Sequence, residues 1–205
     1  MVYIEAPNYV KLDESHKQLP KVFLGGGITN CKDWQSDLVQ EIDDLNCVIY
    51  NPRRKSFDLK DPTQSEIQIR WEHHYLSESD IVIFYFSSET LCPITLFELG
   101  SRLTSNLSGF NQSIYIYCEP DYQRKFDVEF QTKLAQENFI GIQDATYALF
   151  GEDPMYRHLP LKLENMKRDG PQEYGYDVRC FENYDRFVLT LSERIRKGKY
   201  YEQHQ

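Results

Sequence analysis

The apolar residues of the chain alternate between short continuous runs and helically spaced sets. Ile81–Phe86 is almost continuously apolar, which is typical of a central strand covered on both faces. Helical spacing follows it at Leu96, Leu99 and Leu103. Further strands are predicted at Lys21–Gly26, Cys47–Tyr50, Ser113–Tyr117 and Phe139–Ile142. This alternation predicts an α/β fold, an open parallel sheet of about five strands with helices on both faces.

The same pattern divides the chain into parts. Residues 1–20 are mixed and polar, which predicts an extended N-terminal arm. The α/β core is predicted at 21–142, and the irregular, Pro- and Gly-interrupted range 143–181 is predicted to be an insertion or lid. Residues 182–205 are expected to form a C-terminal helix and tail of the same domain, with Asn183 capping the helix.

Composition and charge narrow the classes of function. A formal net charge of -9 argues against binding of a nucleic-acid polymer but leaves a small anionic substrate open. The five cysteines are scattered and lack a C-x-x-C pair, which fits reduced intracellular thiols better than disulfides or a zinc site. No stretch approaches the ~18 apolar residues of a membrane span, and the N-terminus lacks the layout of a signal peptide. We therefore expect a soluble cytoplasmic protein with no membrane partner.

Candidate binding residues follow the first two core strands, where open parallel sheets bind ligands. They are Gly25, Gly26, Gly27, Asn30, Arg53 and Arg54. The glycine run permits a sharp turn and close approach of a ligand to the backbone, and Asn30 is predicted to cap the next helix. The two arginines could bind phosphate or carboxylate by paired hydrogen bonds. A plain glycine turn and a solvated arginine pair are the alternatives.

Two carboxylates flank the central strand. Glu98 is predicted in the first turn or so of the following helix, where the helix dipole favours the ionised form, and Gly100 would let that helix pack closely on the sheet. Glu72 lies on the preceding helix. Adjacent helical residues point apart, so Glu72, His73 and His74 do not predict a metal site. On the sequence alone, a Glu at the position of Glu98 is more often a dipole-stabilised surface residue than a catalytic one.

Seven phrases between residues 21 and 142 together resemble the nucleoside 2-deoxyribosyltransferase-like proteins, especially the branch common in bacteria and phages. They are V-F-L-G-G-G-I (22–28), D-W-Q (33–35), Y-N-P-R-R (50–54), Q-I-R-W-E (68–72), S-D-I-V-I-F-Y-F (79–86), C-P-I-T-L-F-E-L-G (92–100) and Y-Q-R-K-F-D-V-E (122–129). The resemblance implies a flavodoxin-like or Rossmann-like fold. It also implies chemistry at the N-glycosidic bond of a nucleoside or nucleotide.

The resemblance implies roles for the two carboxylates. Glu98, at the E-L-G position, would attack the anomeric carbon, and Glu72, eight residues before Asp80, would recognise and protonate the base. Cys92 stands where the better-known enzymes carry an Asp. Asp127 stands where related enzymes carry an Asn that reaches a neighbouring subunit's site, which implies a binding role in a homo-oligomer.

The resemblance also implies a pocket and a reaction. The glycine run and Asn30 would line the sugar pocket, and Arg53 and Arg54 would bind a 5′-phosphate if the substrate is a nucleotide. The expected reaction is 2-deoxyribosyl transfer to a base, or hydrolysis to free base and sugar, through a Glu nucleophile and without a metal or cofactor. The alternative is a non-catalytic module on the same fold that binds, senses or sequesters a nucleotide.

Overall fold

A computed structural model describes residues 1–56, 61–107, 112–150 and 177–198, with the backbone alone for residues 107, 143, 144 and 146–150. Strands and helices alternate along these ranges. They are β1 (Val2–Glu5), α1 (Glu14–Lys17), β2 (Lys21–Gly26), α2 (Trp34–Glu41), β3 (Val48–Asn51), α3 (Pro62–Glu78), β4 (Ile81–Phe86), α4 (Pro93–Leu107), β5 (Ser113–Cys118), α5 (Lys125–Phe150), β6 (Val178–Phe181) and α6 (Tyr184–Arg196).

All six strands pair in parallel in one sheet of order β1-β3-β2-β4-β5-β6. The predicted α/β fold is thereby confirmed. Without the edge strand β1, the order is that of flavodoxin-like sheets. The chain passes from β2 outward to β3 and then returns to place β4 on the other side of β2. The topological switch point therefore lies between the carboxyl ends of β2 and β4, where this fold binds its ligands.

Alternate residues of the central strands enter two separate cores, as expected for a sheet covered on both faces. On one face, Val82 and Phe84 pack in a cluster with Trp71 of α3, Leu99 of α4 and Val128 of α5. The opposite face is covered by α2 and α6. Its cluster contains Ile83, Tyr85, Trp34, Leu38, Phe187 and Leu191. Helices α3 and α4, which carry the two candidate carboxylates, therefore pack on the same face of the sheet.

Capping residues set the helix starts. The Asn183 side chain accepts a hydrogen bond from the Arg186 backbone N–H at 3.0 Å, which confirms that prediction. The predicted cap at Asn30 is wrong. Asp33 caps α2 instead, by accepting from the Ser36 N–H at 3.2 Å, and Asn30 lies in the preceding loop with a left-handed φ of 57°.

The ends of the sheet differ from the prediction. The N-terminal arm contains β1, which pairs with β3. The predicted strand at Phe139–Ile142 is wrong, because these residues continue α5, and the strand that follows β5 in the described part of the chain is β6. The predicted insertion or lid falls mainly on residues 151–176, which lie outside the described residues. Among the described helices, none combines the length and apolar character that a membrane crossing requires.

Candidate active site

A cavity of about 530 Å³ opens at the switch point between β2 and β4. Its wall is formed by the end of β2 and the loop after it, the segment after β3, one side of α3 and the start of α4. Of the nine residues proposed from the sequence, seven line this cavity: Glu98, Glu72, Gly25, Gly26, Gly27, Asn30 and Arg54. Residues up to 73 positions apart in the chain, from Gly25 to Glu98, are thus brought to one cavity.

The two carboxyls in this cavity influence each other. Burial and, to a smaller extent, the negative charge of Glu72 raise the pKa of Glu98 to about 8, against the opposing effect of the positive charge of Arg102. Burial also raises the pKa of Glu72, and a hydrogen bond from Gln68 opposes that rise. Two such groups titrate as a coupled pair, so the second proton is held to a higher pH than either isolated carboxyl would hold it.

The environment of Glu98 reverses what the helix dipole alone suggested. The dipole of α4 was expected to favour the ionised form, but the effect falls off within the first turn and α4 begins at Pro93, five residues earlier. Desolvation and the neighbouring carboxyl dominate instead. The cation nearest in the chain is Arg102, one turn further along α4, whose Nε is buried without a hydrogen-bond partner among the described residues.

The glycine run is needed for space. Gly25 and Gly26 are the last residues of β2, and none of the three glycines adopts the left-handed conformation. A Cβ on Gly26 would lie 2.5 Å from Cζ2 of Trp34 and 2.6 Å from the Tyr85 carbonyl oxygen. One on Gly27 would lie 2.9 Å from Sγ of Cys92. The glycine run therefore lets α2 and the loop after β4 approach the end of β2 closely.

Two non-glycine residues of the cavity wall have left-handed backbones. Asn30 has a φ of 57° and Cys92 a φ of 49°. Asn tolerates this conformation well, whereas Cys does so less readily. Cys92 is also buried, with its Sγ 3.5 Å from the Thr90 carbonyl oxygen, and burial raises the pKa of its thiol to about 11. The thiol is therefore neutral where the better-known enzymes carry a carboxylate.

The two adjacent arginines lie in different surroundings. Arg54 lines the cavity, and its Nη2 donates to Oε1 of Gln64 at 2.6 Å. Arg53 does not line it. Its guanidinium donates to Oε1 of Gln35 at 2.9 Å and to the Lys32 carbonyl at 2.8 Å, and it pairs with Asp33 at 3.3 Å. Arg53 thus fastens the loop between β2 and α2.

Asp127 also lies outside the cavity. It is on the first turn of α5, half exposed, and pairs with Arg124 at 3.2 Å. Within one chain it has no part in the cavity wall, since α5 contributes no residue to that wall. Its proposed contact with a neighbouring subunit stays a prediction.

Gln68 is a residue of the cavity wall that was not predicted from the sequence. Gln68 lies one turn before Glu72 on α3, lines the cavity and donates from Nε2 to Oε1 of Glu72 at 2.8 Å. The signal was present, because residues four apart on a helix are neighbours and Gln68 opens the phrase Q-I-R-W-E. Among the described residues, no group of three or more His, Cys, Asp or Glu side chains could hold a metal ion.

A second groove, of about 650 Å³, lies on the opposite face of the sheet and contains Glu119. Burial acts to raise the pKa of this carboxylate, but hydrogen bonds from Lys32, Ser88 and Tyr85 outweigh burial and hold the pKa at about 2. Both of its oxygens already accept hydrogen bonds or an ion pair. Glu119 is therefore a stabilised anion, in contrast to the proton-retaining pair of the first cavity.

The comparison with known families adds to this geometry. Residues 19–109 match the family model described as nucleoside 2-deoxyribosyltransferase like. The resemblance is confirmed over that segment. The segment contains Glu72 and Glu98 and ends before Asp127. This match supports a nucleoside-related enzymatic role in coarse terms. No curated protein gives a significant match to the chain.

Proposed function

We propose that the protein breaks the N-glycosidic bond of a nucleoside or nucleotide, with Glu98 as the nucleophile and Glu72 as the acid at the base. The observation that carries the proposal is that two carboxyls from separate helices share one cavity at the switch point. Both lie in the nucleoside 2-deoxyribosyltransferase-like segment. Two carboxyls in different environments can divide nucleophilic and acid roles between them.

The first step uses Glu98 as the nucleophile and Glu72 as the proton donor. A carboxylate oxygen of Glu98 forms a bond to C1′ while the C1′–N bond breaks. The electron pair of the broken bond passes to the base nitrogen. That nitrogen takes the proton of Glu72, which becomes a carboxylate. In the second step, the nitrogen of another base or a water molecule attacks C1′ and gives its proton to Glu72, and Glu98 leaves as a carboxylate.

The coupled titration of the pair supplies the two forms that this step requires. Because burial and the charge on Glu72 together raise the pKa of Glu98 to about 8, the pair retains a proton near neutral pH. One carboxyl is then ionised and the other protonated. In the free protein the hydrogen bond from Gln68 favours the charge on Glu72. Binding of a basic ring nitrogen beside Glu72 would draw the proton from Glu98 to Glu72 and leave Glu98 ionised.

The test is an activity assay with a trap for the intermediate. Deoxynucleosides, ribonucleosides and their 5′-monophosphates are incubated with and without a free acceptor base, and released or exchanged base is followed. Glu98→Gln should lower kcat by roughly 10³-fold or more. Glu66→Gln, which removes a carboxylate from an exposed position of α3 that pairs with Arg70, is the matched control and should keep activity.

Mass spectrometry identifies the nucleophile directly. In acid-quenched wild-type reactions we expect protein carrying one sugar residue on Glu98, and no adduct in Glu98→Gln. Exchange of bases would identify a transferase, and release of base a hydrolase. Tight binding without turnover by the wild type would favour the alternative of a non-catalytic module, for which the neutral Cys92 thiol is the supporting observation.

The proposal also covers the substrate, the oligomeric state and the location of the protein in the cell. The substrate is a small nucleoside or nucleotide, and Arg54, which lines the cavity, contacts its 5′-phosphate when it has one. The protein acts as a homo-oligomer, which is supported by exposed aromatic side chains on α4 and α5. It acts in the cytoplasm, which is supported by five cysteines that form no disulfide.

A further inference from the structure

Gln68 makes two hydrogen bonds from the same nitrogen. Nε2 donates to the Pro52 carbonyl oxygen at 2.8 Å and to Oε1 of Glu72 at 2.8 Å. An amide nitrogen has two hydrogens, so both are used. The side chain therefore bridges the segment after β3 to a candidate catalytic carboxyl on its own helix.

The Pro52 carbonyl fixes the orientation of this amide. A carbonyl oxygen can only accept, so the Gln68 nitrogen must face Pro52. A flipped amide would place its oxygen against two acceptors. The observed orientation leaves Oε1 of Gln68 buried without a partner among the described residues, a cost that the two donated bonds offset.

This orientation distinguishes the two oxygens of Glu72. Oε1 accepts the Gln68 N–H, and a carbonyl-type oxygen accepts more strongly than a hydroxyl. When Glu72 is protonated, its proton therefore resides on Oε2. We propose that Gln68 is a positioning residue for Glu72, holding its carboxyl in one orientation and reserving Oε2 for the departing base. This inference rests on the proposed function, in which Glu72 is the acid.

The bridge also opposes the effect of burial on Glu72. Burial raises the pKa of this carboxyl, and the Gln68 hydrogen bond lowers it by stabilising the charged form. Other charged or titratable groups on the same cavity are Glu98 of α4, Cys92 before α4 and Arg54 after β3. Removing the amide would leave Glu72 a weaker acid in a less defined orientation.

The first test does not depend on turnover. In a Glu98→Gln background, Glu72 is the remaining carboxyl of the pair, and its pKa can be followed by NMR of ¹³C-labelled Glu side chains. Gln68→Met, similar in length but without the donor, should raise that pKa by about 0.5 to 1 unit. Gln64→Met, on the same helix one turn earlier and bonded to Arg54, is the matched control and should leave it unchanged.

The second test uses kcat. Gln68→Met should lower kcat roughly tenfold with a smaller effect on KM, and should cause no further loss in a Glu72→Gln background. A loss of the same size in both backgrounds, or an unchanged pKa of Glu72, would overturn the positioning role. Gln68→Leu repeats both measurements if the Met variant does not fold. A raised pKa without turnover by the wild type would support the positioning and reject the proposed reaction.

Discussion

At the scale of single residues, the chemistry of a side chain depends on neighbours that the local sequence does not show. From the sequence, Glu98 was predicted near the start of a helix, where the helix dipole would favour its ionised form. In the fold, burial and Glu72 raise its pKa to about 8. Glu72 lies 26 positions earlier on a different helix, so spacing alone cannot give this coupling.

The pKa of Glu98 predicts a pH-dependent cost to stability. A carboxyl whose pKa is raised in the folded state favours folding only while it is protonated. Its contribution is complete below the unfolded pKa of about 4.3 and is lost as pH rises through about 8. The free energy of unfolding of Glu98→Gln should therefore exceed that of the wild type by an amount that grows as pH rises through that range. At pH 9 the difference should be on the order of a few kcal/mol.

Urea unfolding of both proteins at several pH values measures this gain. In a Glu72→Gln background, the gain from Glu98→Gln should be smaller, because one cause of the raised pKa is removed. A difference between Glu98→Gln and wild type that stays constant from pH 5 to pH 9 would contradict the raised pKa.

The sequence also does not distinguish Arg53 from Arg54, because adjacent residues of the same type can face different surroundings. Arg54→Ala should weaken binding of a nucleoside 5′-monophosphate roughly tenfold or more and affect the nucleoside less, since a charged hydrogen bond is worth about 1.5–3 kcal/mol. Arg53→Ala should lower the free energy of unfolding and affect both ligands alike, because it removes contacts of the loop after β2.

Calorimetric titration of the two ligands into Glu98→Gln protein measures both variants without turnover. Equal losses for nucleoside and nucleotide in Arg54→Ala would remove the phosphate role. A nucleotide-selective loss in Arg53→Ala would return that role to Arg53.

At the scale of elements, the central strands were predictable because they are buried on both faces and bounded by clear breaks. The region after β5 was not. Phe139–Ile142 is apolar, and a short apolar run does not distinguish strand from helix. The deciding signal was the helical spacing of Val128, Thr132 and Ala135, which continues to Phe139 and packs this side of α5 on the core. Among the described residues, the strand after β5 is β6, which is four residues long and includes the charged Arg179.

The glycines of the site and of α4 predict opposite effects for the same substitution. Gly26→Ala places a methyl group against Trp34 and the Tyr85 carbonyl, so the free energy of unfolding should fall by roughly 1–3 kcal/mol. Gly100, expected to pack closely on the sheet, is instead exposed, with nothing within 4 Å of an added Cβ. Gly100→Ala should stabilise the helix by roughly 0.5–1 kcal/mol.

Thermal and urea unfolding of the two variants check this contrast. A neutral Gly26→Ala would show that Trp34 can move aside, and that close packing does not explain the glycine. A destabilising Gly100→Ala would show that α4 is covered at that point.

At the scale of the whole molecule, the location of the site followed from topology more reliably than its details did. Alternating strands and helices predict a parallel sheet, and the rule that ligands bind beyond strand ends then selects the loops after β2, β3 and β4. Those loops and α3 and α4 line the cavity that holds Glu72 and Glu98. The side-chain directions of Arg53 and Gln68 depend on packing, which the strand order does not determine.

The exposed aromatic side chains make a prediction about assembly. Phe126 on α5 is 74% exposed and stacks on Phe130 at 5.7 Å between ring centroids, and Phe97 on the neighbouring helix α4 is 77% exposed. Exposed apolar patches mark interaction sites. If α4 and α5 form the face between copies of the chain, Phe97→Ser with Phe126→Ser should shift light-scattering mass from oligomer to monomer. Leu189→Ser, at an exposed apolar position of α6 on the other side of the sheet, is the matched control and should leave the mass unchanged. A monomeric wild type, or an oligomer that survives the double substitution, would reject α4 and α5 as that face.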